Sequence, residues 1–181
     1  MTSGTALIDP RIVLEKMHLG VGMRVADFGC GRTGQFIFLA SKMVGDKGIV
    51  YAVDIIKDVL EDIKSRVKVE ANHHNIQPVW SDIEKCGRTP IPEKSLHAVI
   101  LTNVIFLVKD KLSVLHEAAR LTQAGGFVVV VDWSKQLGPL GPTGELIVKP
   151  ETVIELAKQA DLALVEQVML NNNHYCLLFK K

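Results

Sequence analysis

Three acids and a run of glycines are the residues whose types and spacing suit chemistry in this chain. Asp27 closes a short apolar run and opens Asp27-Phe-Gly-Cys-Gly-Arg-Thr-Gly34. Asp54 ends a second apolar run, Ile49 to Asp54, and Asp82 follows a third, Gln77 to Trp80. Glycines let a backbone pass close to a ligand because no Cβ intrudes. An amphipathic segment, Gln35 to Val44, comes straight after them. Its free N–H groups and positive dipole end point at whatever lies over the turn. The stretch reads as strand, tight turn and helix, with a nucleotide-like cofactor above.

Two cofactors compete for that turn. Gly29, Gly31 and Gly34 match G-x-G-x-x-G, and Asp54 lies 20 residues beyond Gly34, near the position of the acid that holds a ribose in dinucleotide enzymes. Asp27 argues the other way. A carboxylate directly before the turn repels a pyrophosphate and attracts a cofactor that carries an ammonium. Asp82 adds a third acid to the same edge.

Other reactive residue types stand apart from this constellation. Cys30 lies in the turn with no obvious base beside it and reads as a small residue that fits. His73 and His74 fall at a predicted helix end and read as solvated residues favoured by the dipole. His116 reads as surface, and His174, at the start of the last strand, as structural. No spacing joins histidines to acids or cysteines as metal ligands, so no metal is expected. Asn103 is either a turn-former after a strand or a site residue. Trp133 either lines a substrate pocket or packs under the following loop. Phe36, Phe38 and Leu39 have core spacing. No residue stands out as base or nucleophile, and no catalytic residue is assigned.

The elements that must position these residues alternate. Asp9-Pro10 caps and opens a helix through Met17, ended by Gly20 and Gly22. Strands are predicted over 24–28, 49–54, 77–80, 96–102 and 127–133, with helices over 35–44, 56–71 and 110–123 and one from Pro150 through Ala160. The stretch 83–94, with a glycine and two prolines, reads as loop, and so does Gly138 to Gly144. Strands at 163–169 and 174–179 flank Leu170-Asn-Asn-Asn173. Alternation argues a parallel, doubly wound sheet. The last two strands are too close for a crossover and must pair antiparallel. The expected fold is therefore α/β, a mostly parallel seven-stranded sheet with a C-terminal antiparallel hairpin. It forms one domain over 1–181, with 1–22 as an N-terminal helical segment and 23–181 as the core.

Composition narrows the function classes. At 181 residues the chain suits one domain with a real core. A net charge of +1 gives no push towards nucleic acid or an anionic membrane. Three scattered cysteines form neither a disulfide framework nor a metal pair. The opening Met1-Thr-Ser-Gly lacks a secretory pattern, and no apolar run approaches the ~20 residues of a membrane helix. A cytoplasmic setting without membrane partners is expected.

With these pieces in place, the chain resembles the class I S-adenosylmethionine-dependent methyltransferases, Rossmann-like enzymes. It is most similar to small stand-alone members near the ubiquinone/menaquinone-biosynthesis group. Carrying the resemblance are V-A-D-F-G-C-G, V-Y-A-V-D-I, S-D-I-E, the strand ending I-L-T-N-V, and L-T-Q-A-G-G-F-V-V-V-V-D, in order over nearly the whole chain. It implies S-adenosyl-L-methionine as cofactor. Asp27, Gly29, Cys30 and Gly31 would lie along the methionine half, with Asp27 facing the ammonium. Asp54 would take both ribose hydroxyls and Ile55 would pack on adenine. Asp82 and the N–H of Ile83 would read the adenine edge, and Asn103 would lie near the sulfonium. The departure is at Gly34. Relatives carry the third glycine one residue earlier, where this chain has Thr33, so Gly34 is a cofactor contact on different terms. Thr102-Asn103-Val104-Ile105 lacks the Asn/Asp-Pro-Pro-aromatic sequence of methyltransferases that act on base amino groups or glutamine. The expected partner is a small-molecule substrate first, a protein or RNA second. A binding module that holds the cofactor without turnover, and an NAD-dependent oxidoreductase, are the rival readings.

Overall fold

The computed structural model describes residues 7–70, 72–138 and 141–181. The expectations for the first four residues, for the helix end at Ala71 and for Pro139-Leu140 lie outside the described residues. Seven strands form one sheet in the order β3-β2-β1-β4-β5-β7-β6. They are β1 (Arg24–Phe28), β2 (Ile49–Asp54), β3 (Ile76–Trp80), β4 (Leu96–Thr102), β5 (Thr122–Trp133), β6 (Ala163–Met169) and β7 (His174–Lys180). The first five pair parallel, and β7 runs antiparallel between β5 and β6. The predicted doubly wound sheet with its closing hairpin is the observed one.

Side-chain alternation divides the core into two layers. Val25, Val50, Ala52, Ile100, Val131 and Cys176 face one layer. There the helices α1 (Pro10–Lys16), α2 (Gln35–Val44) and α3 (Lys57–Val69) supply Leu14, Ile37 and Ile63. Phe28, Val99, Leu101, Val130 and Leu177 face the other, with Leu115 of α4 (Lys111–Leu121) and Ala157 of α5 (Pro150–Gln159). Because the period is two, Asp27, Asp54, Thr102, Trp133 and His174 all fall on the first face. All five lie at one end of the sheet. β1, β2, β4 and β5 end there, and antiparallel β7 begins there. Where the strand order reverses, between β1 and β4, the fold opens the crevice in which such sheets bind ligands.

Two helix ends differ from the sequence expectation. α1 stops at Lys16, ahead of the glycines, because His18 turns left-handed at φ 49°. α4 stops at Leu121, and the residues up to Gln123 belong to β5 instead. Its final carbonyls need no glycine cap, because the backbone N–H groups of Lys94 and Ser95 donate to Arg120 and Leu121. Gly125 serves the strand instead, donating to the carbonyl of Lys181.

Candidate functional site

The glycine turn is tied to the end of β2. Gly29 and Cys30 donate from their backbone N–H groups to the Val53 carbonyl at 2.8 and 3.1 Å, and Gly31 donates to Asp54 Oδ2 at 3.2 Å. Gly29 has φ 72°, and a Cβ built on it would come within 2.7 Å of Val104 Cγ2. A side chain there meets both strain and a neighbour. Gly31, at φ 63°, has open space where a Cβ would stand. Gly34 is the late third glycine. It takes the left-handed conformation (φ 55°) as the N-cap of α2, and Thr33 does not need it. Its open side is filled by Ile63, Phe38 and Ile37, so its lack of a Cβ serves the packing of α2 on α3. Arg66 of α3 braces the turn by donating to the Thr33 carbonyl, and Arg32 pairs with Asp62.

Asp27 is 3% exposed and faces the turn without a donor among the described residues. Burial first, and then the neighbouring Asp54 carboxylate, push its carboxyl well above the ordinary range. Burial first, and then the same two acids, push the Cys30 thiol up and favour its protonated form. Asp54 is buried and accepts from Gly31 N–H and, through Oδ1, from Ile56 N–H at 2.9 Å. Ile55 is exposed beside Trp80, whose indole donates to the Ile55 carbonyl at 2.8 Å.

Asp82 and Ile83 begin a loop that is held from below. Asp82 Oδ1 accepts from Glu84 N–H, and Lys85 stands 3.6 Å from Oδ2. Glu117, buried on α4, accepts from the backbone of Gly87 at 2.6 Å and Thr89 at 2.9 Å, and pairs with Arg120. Those bonds outweigh burial and lower its carboxyl to about 2. Glu84 in turn accepts from Lys109 and Asp110. An open cleft of ≈ 380 Å³ lies alongside, lined by Trp80, Ser81, Asp82, Lys85 and Arg88.

On the far side of the crevice, Asn103 follows β4 in a left-handed conformation (φ 55°) and donates its backbone N–H to Val131. Both polar atoms of its side chain are buried without a partner. Strain of this kind collects at functional positions. The next residues are fixed by Asp132, which accepts from Phe106 N–H at 3.2 Å and from Trp133 N–H at 2.8 Å. Burial raises the Asp132 carboxyl to about 7 against those bonds. The sequence reading passed over Asp132. The signal was an acid ending an otherwise apolar strand, the same signal that marked Asp54. Trp133 is buried, with Gly141 lying against its indole and the His174 ring at 4.1 Å.

One histidine reading is overturned. His73 is 2% exposed, hydrogen-bonded to Ser41 Oγ at 2.8 Å and packed edge-on to Phe38, because Asn75 and Ser41 draw the chain inward at the start of β3. His74 and His116 are exposed as expected. Among the described residues there is no cluster of three metal-ligating side chains, and no described helix is long and apolar enough to cross a membrane.

The residues present fit the cofactor that the resemblance implies. A buried carboxylate without a donor suits an ammonium, and the open side of Gly31 admits a close approach. The Asn103 amide has hydrogen bonds still to make.

The model of a family described as a methyltransferase domain matches residues 26–130. The ubiquinone/menaquinone biosynthesis C-methyltransferase UbiE of Coxiella burnetii is 27% identical over 173 residues, 92% of this chain and 68% of that protein. Among solved structures, an S-adenosylmethionine-dependent methyltransferase from Aquifex aeolicus superposes with a TM-score of 0.86 at 24% identity, over 99% of this chain and 93% of that one. The geranyl diphosphate C-methyltransferase of Streptomyces coelicolor, solved with S-adenosyl-L-homocysteine, gives 0.78 at 11% identity over 94% and 78%. At those identities the two structures speak for the fold.

Proposed function

Since the chain belongs to the methyltransferase-domain family and is an S-adenosylmethionine-dependent enzyme, we propose that it methylates a small molecule at the β1/β4 crevice. The observation that supports this site above others is Asp27, buried and without a donor beside the open face of Gly31.

In this reading Asp27, Gly29, Cys30 and Gly31 receive the amino-acid end of the cofactor. Asp54 has lone pairs to spare beyond its two backbone bonds and takes the ribose hydroxyls. Ile55 covers one face of adenine, and Asp82 and the Ile83 N–H meet its edge. Asn103 lies towards the acceptor, and Gly34 stands behind, starting α2. S-adenosylmethionine supplies an already activated methyl when bound. The protein contributes position and a dry setting. Glu117 and Glu84 hold the Asp82 loop, and Asp132 holds the segment after Asn103. We assign no general base. An acceptor whose nucleophile is already free needs none.

The whole of 1–181 is read as one methyltransferase-like unit, with 1–22 as its N-terminal helical segment. Free cysteines at 30, 86 and 176 suit a reducing cytoplasm. A small-molecule acceptor accords with the relative's name, which places that protein in quinone biosynthesis.

Titration calorimetry with S-adenosylhomocysteine tests the site. Asp54→Ala is expected to weaken binding by roughly 1.5–3 kcal/mol, the size of hydrogen bonds to a charged group. Unchanged affinity removes Asp54 from the site. Label from methyl-labelled cofactor should appear in a small-molecule fraction of a cell extract. Label confined to protein or RNA overturns the acceptor class.

A further inference from the structure

The loop after β3 borders an open cleft of ≈ 380 Å³, lined by Trp80, Ser81, Asp82, Lys85 and Arg88. Of the three residues that the cofactor reading sets at adenine, Ile55, Asp82 and Ile83, it is Asp82 that lines this cleft. The cleft therefore starts where the adenine edge would end and runs outward from there. It is far larger than a bare amino group needs.

Asp82 shows which way a ligand amine faces. Its Oδ1 accepts from Glu84 N–H at 3.1 Å. Its Oδ2 has the Lys85 ammonium at 3.6 Å, beyond hydrogen-bond distance, and the side chain is 28% exposed. Lys85 lines the cleft, so the oxygen beside it is the one on the cleft side, and that oxygen has bonds still to accept. Further out the wall is cationic. Among the described residues the Arg88 guanidinium makes no hydrogen bond or ion pair, and Lys85 makes only that long contact. Glu84, the other acid of the loop, is taken up by the backbone N–H groups of Lys109 and Asp110. Trp80 forms one flank. Its indole is tied to the Ile55 carbonyl at 2.8 Å, the residue is 55% exposed, and the Lys57 ammonium lies 5.3 Å from the ring centre. A fixed flat surface thus stands beside two cations that have charge to offer.

We propose that this cleft extends the adenine end of the cofactor site and takes a substituent on the exocyclic nitrogen, with a preference for a short arm ending in a carboxylate. This rests on the cofactor reading of the crevice. Asp82 Oδ2 accepts the remaining N–H of the monosubstituted amine. The arm runs along Trp80, and its carboxylate meets Lys85 and Arg88, whose guanidinium presents two parallel N–H groups. An apolar arm of the same shape finds the room without the charges. A site closed around a bare amino group would accept neither arm.

Titration calorimetry on the full chain tests this with S-adenosylhomocysteine and three derivatives substituted on the exocyclic adenine nitrogen: methyl, 3-carboxypropyl and the isosteric 4-methylpentyl. The methyl derivative is expected to bind within about threefold of S-adenosylhomocysteine. The carboxypropyl derivative should bind about three- to tenfold tighter than the methylpentyl one at low salt, the yield of two exposed ion pairs, and lose that margin in about 0.5 M salt. Lys85→Ala combined with Arg88→Ala should erase the margin while affinity for S-adenosylhomocysteine stays within about twofold. A loss of more than about tenfold on adding the methyl group overturns the extension, because the nitrogen is then walled in. Equal binding of the acidic and apolar arms, or a margin that survives in the double variant, overturns the role of the two cations and the proposal with it. S-adenosylhomocysteine is titrated into the same samples. Its failure to bind the parent sinks the crevice reading as a whole, whereas its binding without tolerance of the arms sinks only the extension.

Discussion

On the β1–β2–β3 side of the switch point, the polar groups at the sheet edge bond to one another, Asp27 excepted. Val53 and Asp54 hold the glycine turn, Asp82 takes the N–H of Glu84, and Glu117 anchors the loop beyond. On the β4–β5–β7 side, Thr102 Oγ1, both polar atoms of the Asn103 side chain and His174 Nε2 are buried without a partner among the described residues. One side is braced from within. The other keeps its bonding capacity open. Under the proposed function the first side would hold the methyl donor, with the acceptor towards Asn103 at the end of β4.

The largest expected effect tests whether the cradle is truly built from below. Glu117→Ala strips a buried anchor from two backbone N–H groups and from Arg120, which should lower stability by roughly 3 kcal/mol. Urea denaturation reads it. The same carboxyl sets a pH dependence. Its folded pKa, at about 2, lies below its ordinary value of 4.5, so its contribution is whole above 4.5 and fades as pH falls towards 2. The parent should lose stability over that window faster than the variant does. If the two sides are independent, the His174 resonances of the variant stay where they were. A shift there would break the division.

Two glycines of the turn should separate strain from access. Gly29→Ala meets a left-handed φ and the Val104 methyl together, and about 2–4 kcal/mol of stability should go with it. Gly31→Ala faces open space and only the φ penalty, about 1–2 kcal/mol, yet its methyl enters the room that a ligand would use. Thermal unfolding ranks the first variant lower. Calorimetry with S-adenosylhomocysteine should find the second one impaired although it folds. Equal stability of the two, or undiminished binding to Gly31→Ala, would take the glycines out of the donor argument.

How far the chain could be read follows the same division. Strand, turn and acid stand together in Val25 to Gly34 and again in Ile49 to Ile55, so the donor side was legible as local pattern. The late Gly34 was flagged as a departure, and its reason lay in three residues of α2 and α3 that fill its open side. The acceptor side was legible only at Asn103, through the resemblance, and at Trp133, which stood between two readings. His174, expected to be structural, is fully buried at the start of β7. Its surroundings come from the amide of Asn171, fixed by a bond to Leu7, and from a strand that arrives last in the chain yet third from β1 in the sheet. His73 departs from its expectation for a long-range reason. Position at a helix end suggested water, while Ser41 and Asn75 had already taken it inside. Long-range packing decides such cases, and periodicity does not carry it.

The smallest effect concerns Asp27, the one acid of the donor side left without a donor. Its pKa is raised in the folded chain, so folding takes up a proton between the ordinary carboxylate range and the raised value. Stability therefore falls as pH rises through that interval, and Asp27→Asn, which has nothing to ionise, should lack this slope. A cation arriving at the carboxylate reverses the balance by favouring the ionised form. Binding of S-adenosylhomocysteine should release up to one proton, visible as a dependence of the calorimetric heat on the ionisation enthalpy of the buffer. In Asp27→Asn that dependence should vanish and the affinity should drop. A variant that binds as tightly as the parent and releases the same proton would mean that the ammonium lies elsewhere, and the donor side would have lost the residue on which its assignment rests.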